Sequence, residues 1–286
     1  MPAWIRALRP KQWLKNVLVL AAPFAAGTLT QQDVWLKLAG AFAAFSLVAS
    51  SIYLINDTKD AEADRAHPTK RFRPIAAREL SPVAAIIMAV VCLAGGLTLA
   101  WFISTGLFAT VASYWVLQLA YALWLKYLPI FDLAIVATGF LLRAIAGGAA
   151  LEIPLSQWFL LVAAFGSLFM VAGKRYGELK GVGSEAGTRS TLKSYTESYL
   201  RVVWATALAL VIMCYSLWAF EAKHIGLLGL DWRMISLAPF TLALLRYAMV
   251  IDAGDAEEPE SVALGDRMLQ AFAVLWVAAL ILAVFG

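Results

Sequence analysis

Apolar residues run along this chain in nine long stretches separated by shorter polar segments. A helix needs about 20 mostly apolar residues to cross a membrane, whereas the strands of a membrane barrel are short and alternate polar with apolar positions. The pattern therefore predicts an all-α polytopic membrane bundle of nine transmembrane helices, forming one domain over residues 1–286. The stretches cover residues 16–30, 34–55, 82–103, 107–125, 130–150, 158–172, 200–220, 235–251 and 268–285.

Composition supports the membrane assignment. Hydrophobic residues make up 62% of the chain and charged residues only 15%, whereas a soluble domain carries about 25% charged residues. The chain therefore lacks the polar surface that a water-soluble particle needs. Cys92 and Cys214 lie inside apolar stretches, so neither a disulfide framework nor a cysteine metal site is expected. Residues 1–27 also resemble a signal peptide, and that alternative stays open.

Basic residues concentrate in three polar segments, at the N-terminus, at 56–80 and at 173–199. They suit anionic lipid head groups or phosphorylated substrates, and no nucleic-acid partner is expected. With nine spans the three segments share one side, which the positive-inside rule identifies as cytoplasmic. We expect a multi-pass protein of the cytoplasmic (inner) membrane with its N-terminus in the cytoplasm. Segments 56–80 and 173–199 would form a polar active-site cap on that side, where the acidic segment 252–260 has no predicted role.

The polar residues after the second stretch carry the strongest chemical signal. If the helix continues beyond the membrane, positions three, four, seven and eight apart share one face, so several carboxylates converge there. Like charges at that spacing repel, and Mg²⁺, which prefers oxygen ligands and bridges to substrate phosphates, relieves the repulsion. The alternative is a solvated acidic loop balanced by nearby basic residues. The predicted Mg²⁺ ligands of this segment are Asn56, Asp57, Asp60 and Asp64.

Basic residues follow this acidic motif directly. The guanidinium group of arginine can bind two phosphate oxygens at once through two N–H groups, and the ammonium group of lysine binds them as a point charge. Lys70, Arg71 and Arg73 are therefore predicted to bind phosphates of a substrate. An ordinary basic loop that contacts lipid head groups is the alternative.

A second polar cluster ends the sixth apolar stretch. Lys174 and Arg175 are predicted phosphate ligands, together with the neighbouring Tyr176, and Glu178 is a predicted metal ligand. A local ion pair between Lys174 and Glu178, four residues apart on a helix, is the alternative.

Arg143 lies deep inside an apolar stretch, where a charged side chain costs several kcal/mol unless it faces a polar cavity or a partner. Lys15 and Asn16, at the start of the first stretch, could point into the same cavity. Arg143 is therefore expected to face a polar cavity that contains a partner. Asp132, near the start of the same stretch as Arg143, is interpreted as a helix cap.

The motif NDxxDxxxD at residues 56–64, placed after the second of nine spans, resembles the UbiA-type intramembrane prenyltransferase superfamily. In that superfamily, Asp-rich motifs on two loops bind Mg²⁺ and a substrate diphosphate. The second motif usually has the form DxxxD, whereas Lys174, Arg175 and Glu178 stand there in this chain, which suits two phosphorylated substrates. The decaprenyl-phosphate phosphoribosyltransferase branch is resembled most closely, through the segments RPKQWLKN, YLINDTKDAEADRAHPTKRFRPIA, GKRYGEL and EPESVALGDRMLQ.

This resemblance implies a Mg²⁺-dependent transfer of 5-phosphoribose from phosphoribosyl pyrophosphate to decaprenyl (polyprenyl) phosphate, with release of pyrophosphate. The product of that branch feeds decaprenylphosphoryl-arabinose and cell-wall arabinan synthesis. In the mechanism that the resemblance implies, Lys15, Asn16 and Arg143 would guide the lipid phosphate. A homo-oligomer is compatible with the superfamily. The rival hypotheses are a prenyltransferase acting on a prenyl diphosphate and an aromatic acceptor, and a transporter or lipid-binding protein. The residues expected to carry the catalysis are Asp57, Asp60, Asp64, Lys174 and Arg175.

Overall fold

The computed structural model describes residues 1–182, 190–221, 227–257 and 259–285. All regular structure in these ranges is helical, which confirms the all-α prediction. Residues 183–189 of the expected cap lie outside the described residues. The α-helices are α1 (Ala3–Leu8), α2 (Pro10–Trp13), α3 (Ala21–Ala25), α4 (Val34–Lys59), α5 (Ala61–Ala66), α6 (Pro82–Ile103), α7 (Thr105–Leu123), α8 (Phe131–Leu151), α9 (Gln157–Val182), α10 (Glu197–Glu221), α11 (Trp232–Ala253), α12 (Pro259–Gly265) and α13 (Arg267–Phe285).

Local sequence signals explain several helix boundaries. Ser81 precedes α6, and its hydroxyl accepts a hydrogen bond from the backbone N–H of Ala84 at 3.2 Å. Ser104 caps α7 in the same way through the N–H of Leu107 at 3.0 Å. Such side chains satisfy backbone donors that the first helical turn leaves without a partner. Gly254 ends α11 at φ +98°, a conformation that glycine adopts without strain.

Eight of the described helices are long and apolar enough to cross a membrane, namely α4, α6, α7, α8, α9, α10, α11 and α13. The first predicted stretch, 16–30, is instead built from the 3₁₀-helix Leu14–Leu20, α3 and the 3₁₀-helix Thr28–Thr30. Pro23 lies inside α3, where it removes a backbone donor, and Gly27 turns the chain at φ +70° after α3. The count of nine spans and the cytoplasmic N-terminus therefore stay predictions.

Two of the helices extend well past their predicted apolar ends. The second stretch was expected to end at residue 55 and the sixth at residue 172, whereas α4 continues to Lys59 and α9 to Val182. Both polar clusters of the sequence therefore begin on rigid helix ends. A helix end positions side chains more firmly than a loop does, which is the support that a binding site needs.

The chain divides into two compact units, Met1–Lys126 with Leu142–Leu155, and Tyr127–Leu141 with Ser156–Gly286. In the first unit, α4 packs against α6 and α7, and Gly147 lies so close to the carbonyl oxygen of Val19 that no larger residue fits there. In the second unit, α9 packs against α10 and α11 against α13. That residues 1–286 form a single domain stays a prediction.

Candidate functional site

The acidic motif folds as a nearly continuous helical segment with one break, at Asp60. Asp60 ends α4 and α5 begins at the next residue. Backbone hydrogen bonds run through the break, from Asp60 N–H to Asn56 O at 2.9 Å and from Asp64 N–H to Asp60 O at 2.8 Å. Asp57 and Asp64, seven residues apart, consequently lie on the same side of the segment.

Arg73 joins the two buried carboxylates of this motif. Its Nη1 lies 3.1 Å from Asp57 Oδ1 and 2.7 Å from Asp64 Oδ2. Both aspartates are only 4% exposed, and buried charges need a partner of opposite sign. The guanidinium bridges them as a bound cation would. The convergence of oxygen ligands on one positive group fits a Mg²⁺ site in its donor chemistry.

Arg9 contributes a second cation to the same carboxylate, a role that sequence reasoning missed. Its Nη2 lies 2.5 Å from Asp57 Oδ1, and its guanidinium lies 4.9 Å from the centre of the Tyr53 ring. The residue connects α1 to α2 at φ +55°, a backbone conformation that non-glycine residues rarely adopt. Strained residues of this kind concentrate at functional sites. Nothing in the local sequence pattern around Arg9 indicates a partner 48 positions away.

Asp60 faces a different cation from its two neighbours in the motif. The Nζ of Lys126 lies 2.9 Å from Asp60 Oδ1 and 2.8 Å from Oδ2. Lys126 stands in the short 3₁₀-helix Leu125–Tyr127 that follows α7, and its contact was not predicted. Within the described ranges, no three His, Cys, Asp or Glu side chains come close enough together to hold a metal ion. The metal set of Asn56, Asp57, Asp60 and Asp64 therefore stays a prediction.

The other two basic residues of this loop differ in their surroundings. Arg71 is exposed, and its guanidinium lies 4.9 Å from the centre of the Phe72 ring. Lys70 is half-buried in the 3₁₀-helix Lys70–Phe72. Their phosphate contacts stay predictions, and Arg73, the third residue of the set, contacts the acidic motif.

The predicted lipid-phosphate residues Asn16 and Arg143 lie together in the first unit. Arg143 is buried, and its Nε donates to Asn16 Oδ1 at 2.8 Å while its Nη2 donates to the hydroxyl of Tyr114 at 2.8 Å. The Nδ2 of Asn16 donates in turn to Ser46 Oγ at 3.0 Å. These dipoles stabilise an intramembrane charge, as an apolar stretch containing arginine requires. Lys15 is half-buried on the same 3₁₀-helix as Asn16.

The second polar cluster occupies the end of α9 in the second unit. Arg175 is buried, and its Nη1 lies 2.7 Å from Glu178 Oε2. Lys174 has a side chain that is 38% exposed, lies 4.0 Å from Glu178 Oε1 and donates to the backbone oxygen of Glu257 at 2.6 Å. The ion pair that sequence analysis kept as an alternative is therefore present at long distance. Tyr176 is buried, and its hydroxyl accepts a hydrogen bond from Arg201 Nη2 at 2.8 Å.

Asp132 belongs to this second cluster. Its Oδ2 lies 3.3 Å from the Nε of Arg175 and 3.5 Å from the hydroxyl oxygen of Thr191. Its Oδ1 accepts a hydrogen bond from the hydroxyl group of Tyr195. Burial and the hydrogen bond to Asp132 raise the pKa of Tyr195. The position of Asp132 at the start of an apolar stretch predicts a helix cap, whereas the structure gives it an ion pair with Arg175 on α9.

Residues 252–257 of the acidic segment 252–260, which has no role predicted from the sequence, pack on the end of α9. Besides the contact between Glu257 and Lys174, the backbone oxygen of Asp252 accepts a hydrogen bond from Lys180 Nζ at 2.6 Å. A Cβ at Gly177 would lie 3.1 Å from the Glu257 nitrogen, so glycine allows the close approach. The segment therefore covers the side of α9 that carries Lys174.

Comparison with known proteins agrees with this fold. The UbiA prenyltransferase family matches residues 17–272, and the chain belongs to that family. A UbiA homolog from Archaeoglobus fulgidus, solved with GPP and Mg²⁺, has a TM-score of 0.73 at 18% identity and covers 98% of each chain. A UbiA homolog from Aeropyrum pernix has a TM-score of 0.58 at 14% identity, over 92% of this chain and 96% of its own. Family and helices together identify an integral multi-pass membrane protein.

More similar relatives belong to one branch of the family. A decaprenyl-phosphate phosphoribosyltransferase from Mycolicibacterium smegmatis is 51% identical over 96% of this chain and 89% of its own length. The enzymes of that name from Mycobacterium tuberculosis and Corynebacterium glutamicum are each 50% identical, over 96% and 98% of this chain and 91% and 86% of their own. This similarity extends through both polar clusters.

Proposed function

We propose that this protein transfers 5-phosphoribose from phosphoribosyl pyrophosphate to a polyprenyl phosphate and releases pyrophosphate. The proposed polyprenyl phosphate is decaprenyl phosphate. The observation that carries the proposal is the identity of about half of all positions with enzymes named for this reaction, over nearly the whole chain. The replacement of a second acidic motif by Lys174 and Arg175 supports it, because two phosphorylated substrates bring more negative charge than one.

The acidic motif of the first unit would hold Mg²⁺ through oxygen atoms of Asn56, Asp57, Asp60 and Asp64. Mg²⁺ bound there would neutralise the charge that develops on the departing pyrophosphate. Solved UbiA homologs that contain Mg²⁺ support this cofactor. Arg73 supports it too, since a cation already lies between Asp57 and Asp64.

The basic side chains would bind and orient phosphate groups of the donor. Arg73, Lys70 and Arg71 follow the acidic motif. In the second unit Lys174 is the most accessible cation of its cluster, while Arg175 and Tyr176 are buried beside it. We assign Glu178 to the metal, as an acid whose side chain is partly exposed. These groups act by placing and stabilising charge, which accounts for most of the catalysis in transfers of this kind.

The acceptor needs no general base. A polyprenyl phosphate is already anionic at neutral pH, so its oxygen can form the new bond to C1 of the ribose as the bond from C1 to the pyrophosphate oxygen breaks. Lys15, Asn16 and Arg143 would guide the lipid phosphate. We place the reaction on the cytoplasmic face of the cytoplasmic membrane, where a soluble donor meets a lipid acceptor, and the protein is compatible with a homo-oligomer.

Pyrophosphate release by the purified protein in detergent tests the proposal. Release is expected with Mg²⁺, phosphoribosyl pyrophosphate and polyprenyl phosphate together, and it should stop when either substrate is left out or EDTA is added. Release from a prenyl diphosphate with an aromatic acid, but not from the ribose donor, would identify a prenyltransferase instead. Binding of the phospholipid without any release would identify a transporter or lipid-binding protein.

The Asp64→Asn variant tests the acidic motif directly. It should fold and reach the membrane but lose pyrophosphate release, because an amide is a poorer metal ligand than a carboxylate. Asp33→Asn is the matched control, since Asp33 is exposed and precedes α4 at its opposite end. Near-normal turnover in Asp64→Asn would exclude Asp64 as a ligand.

A further inference from the structure

Asp132 is a fully buried carboxylate that joins three segments of the second unit. It is 0% exposed and lies in the first turn of α8. Its partners are Arg175 on α9, Thr191 in the 3₁₀-helix Ser190–Ser194, and Tyr195 directly after that helix. Charge-assisted hydrogen bonds from these partners replace the hydration that burial removes from the carboxylate.

Arg175 lies between two acids, and each acid contacts a different part of its guanidinium. The Nε group faces Asp132 at 3.3 Å, and Nη1 faces Glu178 at 2.7 Å. The planar guanidinium fixes the directions of its donors relative to one another. Asp132 therefore sets the orientation of Arg175, and Arg175 sets that of Glu178.

The backbone at Ile130, two residues before Asp132, is strained, and a hydrogen bond to Tyr195 holds it in place. Ile130 has φ +71°, which is rare for a β-branched residue. Its backbone N–H donates to the Tyr195 hydroxyl at 2.6 Å, and the same hydroxyl donates to Asp132. One phenol thus holds both the strained turn and the carboxylate. Strain at a buried polar network motivates a functional role for that network.

We propose that Asp132 is a positioning residue for the transfer reaction. It fixes Arg175 and, through it, Glu178, so that the end of α9 presents its charges to the phosphorylated donor in one geometry. Without the negative charge of Asp132, Arg175 would turn fully towards Glu178, and its positive charge would be neutralised there. The inference rests on the proposed function, because it assigns Arg175 and Glu178 to the binding of the donor.

Steady-state kinetics of Asp132→Asn and Tyr195→Phe test the inference. The KM for phosphoribosyl pyrophosphate should rise about tenfold in Asp132→Asn. It should rise about threefold in Tyr195→Phe, because that variant removes one hydrogen-bond donor to Asp132 but leaves the charge of Asp132 in place. The KM for polyprenyl phosphate should stay within about twofold, so that kcat/KM falls more for the ribose donor than for the lipid acceptor. Tyr199→Phe is the matched control, because Tyr199 stacks on Tyr195 at 5.8 Å outside this network, and its KM should not change.

The outcomes separate positioning from structural support. An unchanged KM for the donor in both folded variants would overturn the inference, and so would an equal loss of kcat/KM for the two substrates or failure of both variants to fold. If Asp132→Asn alone fails to fold, Tyr195→Phe still decides. Wild-type protein that releases no pyrophosphate from the ribose donor would instead refute the proposed function itself, and the inference with it.

Discussion

Replacing Arg73 with methionine would remove the cation that bridges Asp57 and Asp64. Methionine resembles the aliphatic stem of arginine but has neither its charge nor its donors, so the substitution removes the ion pairs and their hydrogen bonds while keeping an unbranched side chain. Both carboxylates are 4% exposed, and their distances to Arg73 are 3.1 and 2.7 Å. Asp57 keeps its contact with Arg9, so the loss falls mainly on Asp64.

The expected loss of stability follows from burial. Removing one partner of a fully buried ion pair costs about 3–5 kcal/mol. The Arg73 side chain is 26% exposed, and solvent screens such a pair, so we expect about 2 kcal/mol. In a protein of this size that corresponds to a fall in Tm of about 3–4 °C. Arg71→Met is the matched control, because Arg71 is exposed beside Phe72, and its Tm should not change.

Thermal unfolding in detergent, in EDTA and then in Mg²⁺, is the assay. A ligand stabilises the folded state more when it binds that state more tightly. Mg²⁺ should therefore raise the Tm of Arg73→Met more than that of the wild type. In the wild type the metal must first displace the guanidinium. An unchanged Tm in EDTA would refute the ion-pair argument, and an equal response to Mg²⁺ in both proteins would refute the cation site.

Two further predictions concern stability. Gly147→Ala should strongly reduce the yield of folded protein in detergent, because the added Cβ would overlap the Val19 carbonyl oxygen. The control Gly265→Ala should leave the yield unchanged, because open space surrounds Gly265. Equal yields of the two variants would contradict the packing of the first unit. A hydrogen bond from Arg246 and the backbone N–H of Leu269 lower the pKa of Asp266 below its ordinary 3.8. Its stabilising effect is therefore complete above about pH 4 and is lost as the pH falls through the lowered pKa. Acid unfolding curves of Asp266→Asn should show a smaller loss of Tm below that pH than the wild type, and parallel curves would exclude the effect.

Much of this molecule could be predicted from the sequence, because hydropathy and helical spacing are local signals. Apolar stretches of about 20 residues can lie in a membrane only as structures whose backbone hydrogen bonds are satisfied within the segment, which makes them helices. The placement of Asp57 and Asp64 on one side of a helical segment follows from their spacing in the same way. The break in the first stretch also has local signals, because Pro23 removes a backbone donor and Gly27 allows a turn.

The partners of the charged groups were decided by tertiary structure alone. Lys126 lies 66 positions from Asp60, and Tyr195 lies 63 positions from Asp132. No periodicity in the chain connects such residues, since their meeting depends on how separate helices pack. The sequence alone therefore predicted where acidic and basic groups concentrate and which family the chain resembles. Packing determined which acid meets which base, because a buried charge is stable only where the fold brings a partner to it.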